Sequence, residues 1–407
     1  MSVGRVAIIT YHACPLAAPG QGKSGGMNVY VRQLAGALGN QGISVDIFTR
    51  EHPGDAGDVE EISPGVRVVH LPGGDAETPM NGLFEHLPGF LDEVLRFQRE
   101  NGISYEVVHS HYWLSGWVGK ELARQNDIPH LITFHTLGLI KLQSRVGEVE
   151  SAKRAEVERD LIESAARIIA FSPHERDAMV RLYGGSSAKI ELLPCGVDLS
   201  RFKPLDRKAA RERLGLNGGK VVLYVGRVEP LKGLELLVHT AAQMETCHDV
   251  KVLVVGGAND GDEEVGRLQD LARDLEVEHV IDFVGRVDQE DLPLYYNAAD
   301  VCVLPSYYES FGLAALESMA CGTPVVATRV GGLSTVVHHG HTGYLKSWRC
   351  PEAFANSLEM IISSEGLQDS MGKAARRRAE EMSWERVAAG ITDIYQSVLS
   401  ETPSRPE

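Results

Sequence analysis

The chain has 407 residues, of which 43% are hydrophobic, and carries a formal net charge of -16. This length exceeds one typical hydrophobic core and suits two domains of about 200 residues each. The acidic balance argues against a nucleic-acid-binding protein, because no excess of basic residues is available to replace counterions on a phosphate backbone.

Cysteine spacing and hydropathy bear on the compartment. The six cysteines are widely separated and form no paired motif, which favours reduced thiols over a disulfide framework. No window approaches the ~18 to 20 apolar residues of a membrane span, and no charged segment with a small-residue cleavage site begins the chain. We therefore expect a cytoplasmic protein without a membrane span.

Short β-branched runs alternate with longer amphipathic runs along the first half of the chain. This alternation predicts a parallel sheet with helices on both faces. The predicted strands are residues 6–10, 44–49, 66–71, 107–110, 130–134 and 168–172.

The loop after the first predicted strand contains GKS at residues 22–24, which is the end of a triphosphate-binding loop. That motif requires a glycine six residues before its lysine, and Ala17 stands there, so Lys23 is not expected to bind a triphosphate. Gly25 and Gly26 nevertheless open a helical pattern, and the N–H groups and dipole at a helix start favour an anion. The alternative is a flexible surface loop.

The alternation restarts after Pro194, and residues 192–205, with two prolines and a glycine, predict the linker between the halves. The predicted strands of the second half are residues 221–225, 250–255, 280–284, 301–304 and 324–328. Apolar residues at helical spacing in residues 384–399 predict a last helix that covers an apolar surface.

These elements predict an α/β fold of two doubly wound domains. The first is residues 1–195, with a C-terminal helix at 384–400 packing back on it, and the second is residues 196–383. Doubly wound domains bind ligands at the carboxyl ends of their strands, so we expect two facing crevices that form one cleft.

The stretch YESFGLAALE places Glu309 and Glu317 eight residues apart directly after a predicted strand. In a continuous helix this spacing is a rise of about 12 Å, too far for the carboxylates to share a proton but suited to the two ends of an extended ligand. Ser310 is expected to cap the helix, whose first turn offers N–H groups. The alternative is an acidic helix start with a solvated Glu317.

The stretch YVGRVEPLKG places Arg227 and Lys232 in a turn just after another predicted strand. Two cations there suit a diphosphate, which Arg binds with two N–H groups and Lys as a point charge. Taken singly, each is better explained as a solvated loop charge.

Together these motifs resemble the retaining glycosyltransferases of family 4, which have the GT-B architecture of two Rossmann-like domains. Glu309 and Glu317 match the family's pair of glutamates with seven residues between them, and Arg227 and Lys232 match its diphosphate-binding cations. The sequence GTPVVATRVGG, residues 322–332, matches the strand and turn that follow. The resemblance extends over almost the whole chain.

The resemblance implies how a nucleotide-sugar donor is bound. The glycine pair 25–26 would approach the donor diphosphate, and Arg227 and Lys232 would contact the same diphosphate from the second domain. Glu317 would bind the ribose hydroxyls and Glu309 those of the donor sugar. The other donor-binding residues implied are Arg286 and Val287 near the base and Phe311, Gly312 and Leu313 beside the sugar.

The resemblance also implies retention of configuration by front-face attack, with the departing phosphate oxygen as the base toward the acceptor hydroxyl. Fixed cations and N–H donors beside the leaving phosphate lower the barrier, so no cofactor and no metal is expected to be required. The pairs His109/His111 and His338/His339 lack metal-ligand spacing. His135 matches the family histidine beside the donor sugar, the alternative being a structural histidine. The predicted catalytic residues are His135, Arg227, Lys232 and Glu309.

Within the family, the motifs SGGMNVYVRQLAGAL, HSHYWLSGWVG and FHTLGLIK resemble the branch of the sucrose-phosphate synthases and the inositol-phosphate glycosyltransferase of mycothiol synthesis. That branch implies a UDP-sugar donor, UDP-glucose or UDP-N-acetylglucosamine, and a small phosphorylated acceptor. The matching acceptor-side residues are Asn28, Tyr112, Thr136, Lys141 and Arg154. Arg154 lies one helical turn before Glu158, a spacing at which the carboxylate orients the guanidinium.

One departure bears on the acceptor. The branch carries Lys or Arg just before the segment corresponding to residues 83–88, where this chain has Met80, Asn81 and Gly82. The absence of one cation from a phosphate-binding site costs about 1.5 to 3 kcal/mol of binding free energy. An unphosphorylated sugar, a polyol or a lipid-linked glycan is therefore the alternative acceptor, and a GT-B sugar phosphorylase or a non-catalytic nucleotide-sugar binder is the alternative of another class.

Overall fold

The computed structural model describes residues 3–17, 25–51, 59–75, 78–144, 150–216, 218–245, 249–257 and 262–401. It divides into two compact units, one made of the chain up to Gly196 together with the segment from Trp384, the other of Val197–Ser383. Residues 22–24 and Cys247 lie outside the described residues. Among those that are described, no two cysteines form a disulfide.

The first unit is built on one sheet. Its strands are β1 (Arg5–Ile9), β2 (Ser44–Arg50), β3 (Val59–Ser63), β4 (Val66–Leu71), β5 (Val107–His111), β6 (His130–Thr133), β7 (Arg167–Ala170) and β8 (Ile190–Leu192). Their order is β3-β4-β2-β1-β5-β6-β7-β8, and all neighbours are parallel except β3 and β4. Residues 6–9 of β1 are fully buried, as expected for a central strand with helices on both faces.

The helices of this unit cover both faces of its sheet. They are α1 (Gly26–Gly39), α2 (Leu87–Glu100), α3 (Trp113–Asn126), α4 (Gly138–Ser144), α5 (Ala152–Ser164), α6 (Pro173–Tyr183) and α15 (Trp384–Glu401). The apolar face of α15 covers the unit: the Trp384 ring lies 5.3 Å from that of Tyr30 on α1, and the Tyr395 hydroxyl is 2.8 Å from His109 Nδ1 on β5.

The second unit has its own parallel sheet. Its strands are β9 (Lys220–Val225), β10 (Val250–Val255), β11 (Ile281–Gly285), β12 (Val301–Leu304), β13 (Val325–Thr328) and β14 (Gly343–Lys346). Their order is β11-β10-β9-β12-β13-β14. The helices are α7 (Arg207–Arg213), α8 (Leu234–Gln243), α9 (Glu263–Asp274), α10 (Leu292–Ala298), α11 (Leu313–Ala320), α12 (Leu333–Val336), α13 (Pro351–Ile362) and α14 (Glu365–Glu380). No helix in the described part of the chain is long and apolar enough to cross a membrane.

Three strands are missing from the sequence-based prediction, and all three are edge strands. β3 is polar and largely exposed, β8 has three residues at the start of the predicted linker, and β14 alternates between buried and half-buried residues. An edge strand is covered less completely, so it lacks the continuous apolar run by which the central strands are recognised.

Candidate functional site

The sheet of the second unit reverses its strand order between β9 and β12, so the loops after these strands lie side by side at its carboxyl edge. Lys232 ends the 3-10 turn Pro230–Lys232 after β9, and Glu309 lies in the loop after β12. Lys232 Nζ is 2.7 Å from Glu309 Oε2, and the Tyr307 N–H donates to the Leu231 carbonyl at 2.8 Å. The structure therefore brings two of the predicted catalytic residues together.

Two glycines allow this close approach. Gly233 follows Lys232 with φ 69°, and a Cβ there would lie 2.3 Å from the Pro305 carbonyl oxygen. Gly331 has φ 46°, and a Cβ there would lie 1.9 Å from the carbonyl oxygen of Glu309. Both positions need a left-handed backbone and have no room for a side chain, so glycine is required at each.

Arg227 lies at the start of the same loop. Its side chain is 47% exposed, and Nη2 is 3.0 Å from Glu229 Oε1. The buried Tyr224 hydroxyl donates to the Arg227 carbonyl at 2.8 Å, which fixes the backbone while the guanidinium stays at the surface. Because an exposed ion pair contributes little, Arg227 can exchange Glu229 for a ligand oxygen at small cost.

Helix α11 begins later than the sequence suggests. Gly312, with φ 97°, is its N-cap and Leu313 its first residue. The predicted Ser310 cap is wrong, because glycine adopts this left-handed conformation readily and the chain turns into the helix there. Glu309 therefore precedes the helix, and the rise predicted for a continuous helix from Glu309 to Glu317 does not apply.

Glu317 lies on α11 and is buried. The Tyr296 hydroxyl donates to its Oε2 at 2.8 Å. Burial raises the pKa of the Glu317 carboxyl to about 7, although the Tyr296 hydrogen bond and the charge of Arg201 act in the opposite direction. Among the described residues no cation forms a salt bridge with Glu317, so its charged form is poorly compensated without a ligand.

The other donor residues predicted in this unit also lie at the carboxyl edge of its sheet. Arg286 and Val287 are half-buried and directly follow β11, two strands from β9 in the sheet order. Phe311 is buried immediately before the N-cap of α11.

The sheet of the first unit reverses its order between β1 and β5. In the β1–α1 loop, the Gly25 N–H donates to Asn28 Oδ1 at 3.1 Å, and Asn28 Nδ2 donates to the Cys14 carbonyl at 2.6 Å. Asn28 is buried, and each polar atom of its amide already has a partner. Its side chain therefore holds the start of α1, where Gly26 is exposed.

Arg154 on α5, another residue predicted for the acceptor, is buried, with a side chain only 3% exposed. Its Nε is 2.7 Å from Glu158 Oε1, as the helical spacing predicts. Nη2 donates to Thr136 at the carbonyl (2.9 Å) and the hydroxyl (3.0 Å), and the guanidinium carbon lies 4.9 Å from the centre of the Tyr112 ring. Thr136, Tyr112 and Arg154 are thus joined in one cluster.

Lys141 on α4 is joined to this cluster by Glu150. Lys141 Nζ is 2.6 Å from Glu150 Oε1, and Arg154 Nη1 is 2.9 Å from Glu150 Oε2. One carboxylate therefore binds both cations that the sequence assigns to the acceptor.

The position of the missing cation also lies in this unit. Met80 is half-buried and begins the 3-10 helix Met80–His86. Lys153, beside Arg154 in the chain, extends over this helix, with Nζ 5.1 Å from the centre of the Phe84 ring.

His135 has a positive φ of 60° and is buried, with Nε2 3.0 Å from His111 Nδ1. Burial lowers the pKa of His135 to about 3 and that of His111 well below its usual range, so both rings are neutral near pH 7. His111 Nε2 has no hydrogen-bond partner among the described residues. Because a buried N–H without an acceptor is costly, the proton of His111 is assigned to Nδ1 and donated to His135, which then carries its own proton on Nδ1.

The other paired histidines have structural partners. His109 is buried, with Nδ1 2.8 Å from the Tyr395 hydroxyl and Nε2 2.9 Å from that of Thr133. His339 Nδ1 accepts the Leu345 N–H at 3.0 Å. In the described ranges, no group of three or more His, Cys, Asp or Glu side chains is placed to hold a metal ion.

Comparison with known proteins shows the family. Residues 24–201 match the model "Glycosyltransferase Family 4", and residues 206–378 match "Glycosyl transferases group 1". A D-inositol 3-phosphate glycosyltransferase 2 of Catenulispora acidiphila is 39% identical over 98% of this chain and 96% of its own length. The chain belongs to glycosyltransferase family 4.

Two further relatives agree with this assignment. A D-inositol 3-phosphate glycosyltransferase of Kribbella flavida is 41% identical to this glycosyltransferase over 97% of this chain and 95% of its own length. The sucrose-phosphate synthase of Thermosynechococcus elongatus superposes with a TM-score of 0.90 at 37% identity, over 98% of this chain and all of that one. The two Rossmann-like units are those of the GT-B architecture.

Solved structures at lower identity share the fold. HepE of Anabaena, in complex with UDP and glucose, superposes with a TM-score of 0.76 at 20% identity, over 96% of this glycosyltransferase and 99% of HepE.

Several residues of this glycosyltransferase contact predicted site residues without being assigned to the site from the sequence, among them Tyr296, His111 and Glu150. Tyr296 is 21 residues from Glu317 and gives no local signal of contact. His111 lacks metal-ligand spacing in the sequence, and that spacing gives no signal of its contact with His135. Glu150 is four residues before Arg154 but precedes α5, which begins at Ala152, so the helical spacing rule does not predict this contact.

We expect Gly233→Ala to lower the activity of this glycosyltransferase by at least about tenfold, because the added Cβ would force the β9 and β12 loops apart and separate Lys232 from Glu309. Gly340→Ala is the matched control: Gly340 also has a positive φ, of 80°, but a Cβ there meets nothing within 4 Å. The measurement is the initial rate of sugar transfer at equal folded protein concentration. Equal losses in both variants would show that backbone strain, not loop contact, is responsible.

Proposed function

We propose that this enzyme transfers a hexosyl group from a nucleotide sugar to a small phosphorylated acceptor, an inositol phosphate or a hexose phosphate. The observation that carries the proposal is the pairing of Lys232 with Glu309 at the strand-order reversal of the second unit. The names of the relatives, D-inositol 3-phosphate glycosyltransferase and sucrose-phosphate synthase, support the acceptor class. The proposed donor is UDP-glucose or UDP-N-acetylglucosamine.

In the proposed donor site, the charges of Arg227 and Lys232 stabilise the diphosphate as it departs. A positive charge fixed where negative charge develops lowers the barrier without reorganisation, and the free N–H groups at the start of α11 add to it. Glu309 binds the hydroxyls of the donor sugar, and Glu317 those of the ribose. The proposed chemistry uses these protein groups and no metal or other cofactor, so activity should persist in excess EDTA.

His135 is proposed to lie beside the donor sugar. As a neutral ring with its proton on Nδ1, it offers an N–H donor and not a charge. We propose that the reaction retains configuration, with a phosphate oxygen of the departing diphosphate accepting the proton of the acceptor hydroxyl.

A second candidate acceptor is an unphosphorylated sugar or polyol. We call the predicted acceptor residues Tyr112, Thr136, Lys141 and Arg154, together with Glu150 and Glu158, the acceptor cluster. Its charges favour an unphosphorylated acceptor, because the two cations Lys141 and Arg154 are balanced by the two carboxylates Glu150 and Glu158. Met80 adds no charge. A neutral acceptor would bind such a balanced cluster without disturbing its ion pairs.

The experiment that separates the two candidates is a substrate matrix. UDP-glucose and UDP-N-acetylglucosamine are each combined with inositol, inositol 3-phosphate, a hexose and its 6-phosphate, and the products are identified by mass spectrometry. Higher kcat/KM for the phosphate ester than for its parent supports the proposal. An unphosphorylated acceptor used at least as well would overturn the proposed acceptor class and leave the donor proposal standing.

We expect Lys232→Ala to lower kcat by at least about tenfold with little change in the Kd of UDP, because the charge acts most strongly as the diphosphate leaves. Lys251→Ala is the control, because it removes a lysine of the same unit whose Nζ donates to the His279 carbonyl at 3.0 Å. Steady-state kinetics and calorimetry check the two parts. A Lys232→Ala enzyme with normal kcat and weakened UDP binding would contradict this prediction, because Lys232 would then bind the diphosphate equally before and during its departure.

The affinity for UDP should depend on Glu317 and on pH. Because the pKa of Glu317 is raised to about 7, its carboxyl in the free enzyme is mostly protonated at pH 6 and mostly ionised at pH 8. Ribose hydroxyls donate to the ionised form, so the affinity should rise by about tenfold between pH 6 and 8. Calorimetry on Glu317→Gln at the same pH values gives the change in affinity that comes from titration of UDP itself. If the pH dependence of the variant equals that of the wild type, Glu317 does not contact the ligand.

A further inference from the structure

The Glu150 carboxylate binds both cations of the acceptor cluster, Lys141 and Arg154. Glu150 Oε1 is 2.6 Å from Lys141 Nζ and Oε2 is 2.9 Å from Arg154 Nη1, so each oxygen binds one cation. The Glu150 side chain is 13% exposed and that of Lys141 is 23% exposed. Two oxygens of one anion held by two cations is also the arrangement in which a phosphate group binds.

The rest of the Arg154 guanidinium is committed to the protein. Nε bonds Glu158, Nη2 bonds the Thr136 carbonyl and hydroxyl, and the face of the group lies over Tyr112. Arg154 therefore cannot turn to meet a ligand. In the described part of the chain, the bond of Nη1 to Glu150 is the one that an incoming anion can replace.

The two carboxylates that bind Arg154 differ in how firmly they are held. Glu158 is fully buried and accepts the Gly138 N–H and the Tyr183 hydroxyl in addition to Arg154. The hydrogen bonds of the Glu150 carboxylate within the described part of the chain are those to Lys141 and Arg154. Glu150 can thus leave at the cost of its two ion pairs, whereas Glu158 cannot leave without breaking its bonds to the protein.

We propose that Glu150 is an internal competitor for the acceptor's anionic group and so determines acceptor specificity. A phosphate ester carries about -1.5 to -2 charges near pH 7 and displaces the single charge of Glu150 from Lys141 and Arg154. A neutral acceptor cannot displace it. Glu150 therefore lowers the affinity for every anion but leaves a dianion preferred, and this role rests on the proposed phosphorylated acceptor.

The direct test uses inorganic phosphate, so that its outcome does not depend on the natural acceptor. Glu150→Gln keeps the size of the side chain and removes its charge, and we expect the Kd of inorganic phosphate in calorimetry to fall by about three- to tenfold. Glu156→Gln removes an equal charge from an exposed position on α5, the helix that carries Arg154, and should leave the Kd unchanged. Glu150→Ala should act in the same direction as Glu150→Gln. An unchanged or higher Kd in both Glu150 variants, each with a melting temperature like that of the wild type, would overturn the proposal.

A second measurement separates this proposal from the proposed function. With inositol 3-phosphate or a hexose 6-phosphate, Glu150→Gln should lower the acceptor KM by a larger factor than it changes the KM of the unphosphorylated parent, and should leave the donor KM unchanged. A raised KM for the phosphate ester would show that Glu150 positions the cations and does not compete with the ligand, which contradicts the inference. A wild-type preference for the unphosphorylated parent contradicts the proposed function alone, because tighter phosphate binding by Glu150→Gln would still be measured.

Discussion

The reversal of strand order within each parallel sheet is the constraint on which the candidate site depends. At a reversal, the chain continues from two neighbouring strands toward opposite sides of the sheet, so a crevice forms at the carboxyl edge beside the loops that directly follow them. In the second unit the reversal lies between β9 and β12, and the loops carrying Lys232 and Glu309 meet there. In the first unit it lies between β1 and β5, which are followed by the glycine pair and by Tyr112. The chemistry is therefore placed by topology before any particular side chain is chosen.

Close backbone contacts then fix the positions of the adjacent loops after β9 and β12. Gly233 and Gly331 allow contacts with the β12 loop that no side chain would permit, and Gly312 provides the turn into α11. The charged groups on these loops are already oriented when the ligand arrives, so little binding energy is needed to order them. Arg227 is the exception, since its exposed side chain is held only by a weak ion pair with Glu229.

The sequence predicts the parts of this structure that follow from local periodicity. The apolar runs of the central strands and the four-residue spacing of Arg154 and Glu158 are both local signals, and both are found in the structure. The GT-B fold and the placing of Lys232 near Glu309 required the family resemblance, because 77 residues separate the two in the chain. Tyr296 and Glu317 meet because α10 and α11 pack side by side, and no local pattern encodes that packing. The composition rule for N-caps selects Ser310, because serine is a preferred capping residue. The N-cap is instead Gly312, because the backbone turns into the helix there with a positive φ.

The two units solve the problem of buried charge in different ways. In the first unit, Arg154 is enclosed together with Glu158 and Glu150, so its charge is compensated before any ligand binds. In the second, Glu317 is buried with a hydroxyl and without a salt bridge among the described residues, and its raised pKa lets it take up a proton instead. Burying an uncompensated ion costs several kcal/mol, and each arrangement avoids that cost in the free enzyme. In the proposed function, ligand binding therefore proceeds by exchange: an anion replaces Glu150 in one unit, and hydroxyl donors replace a proton on Glu317 in the other. Affinity is consequently limited by what the ligand displaces as well as by what it contacts.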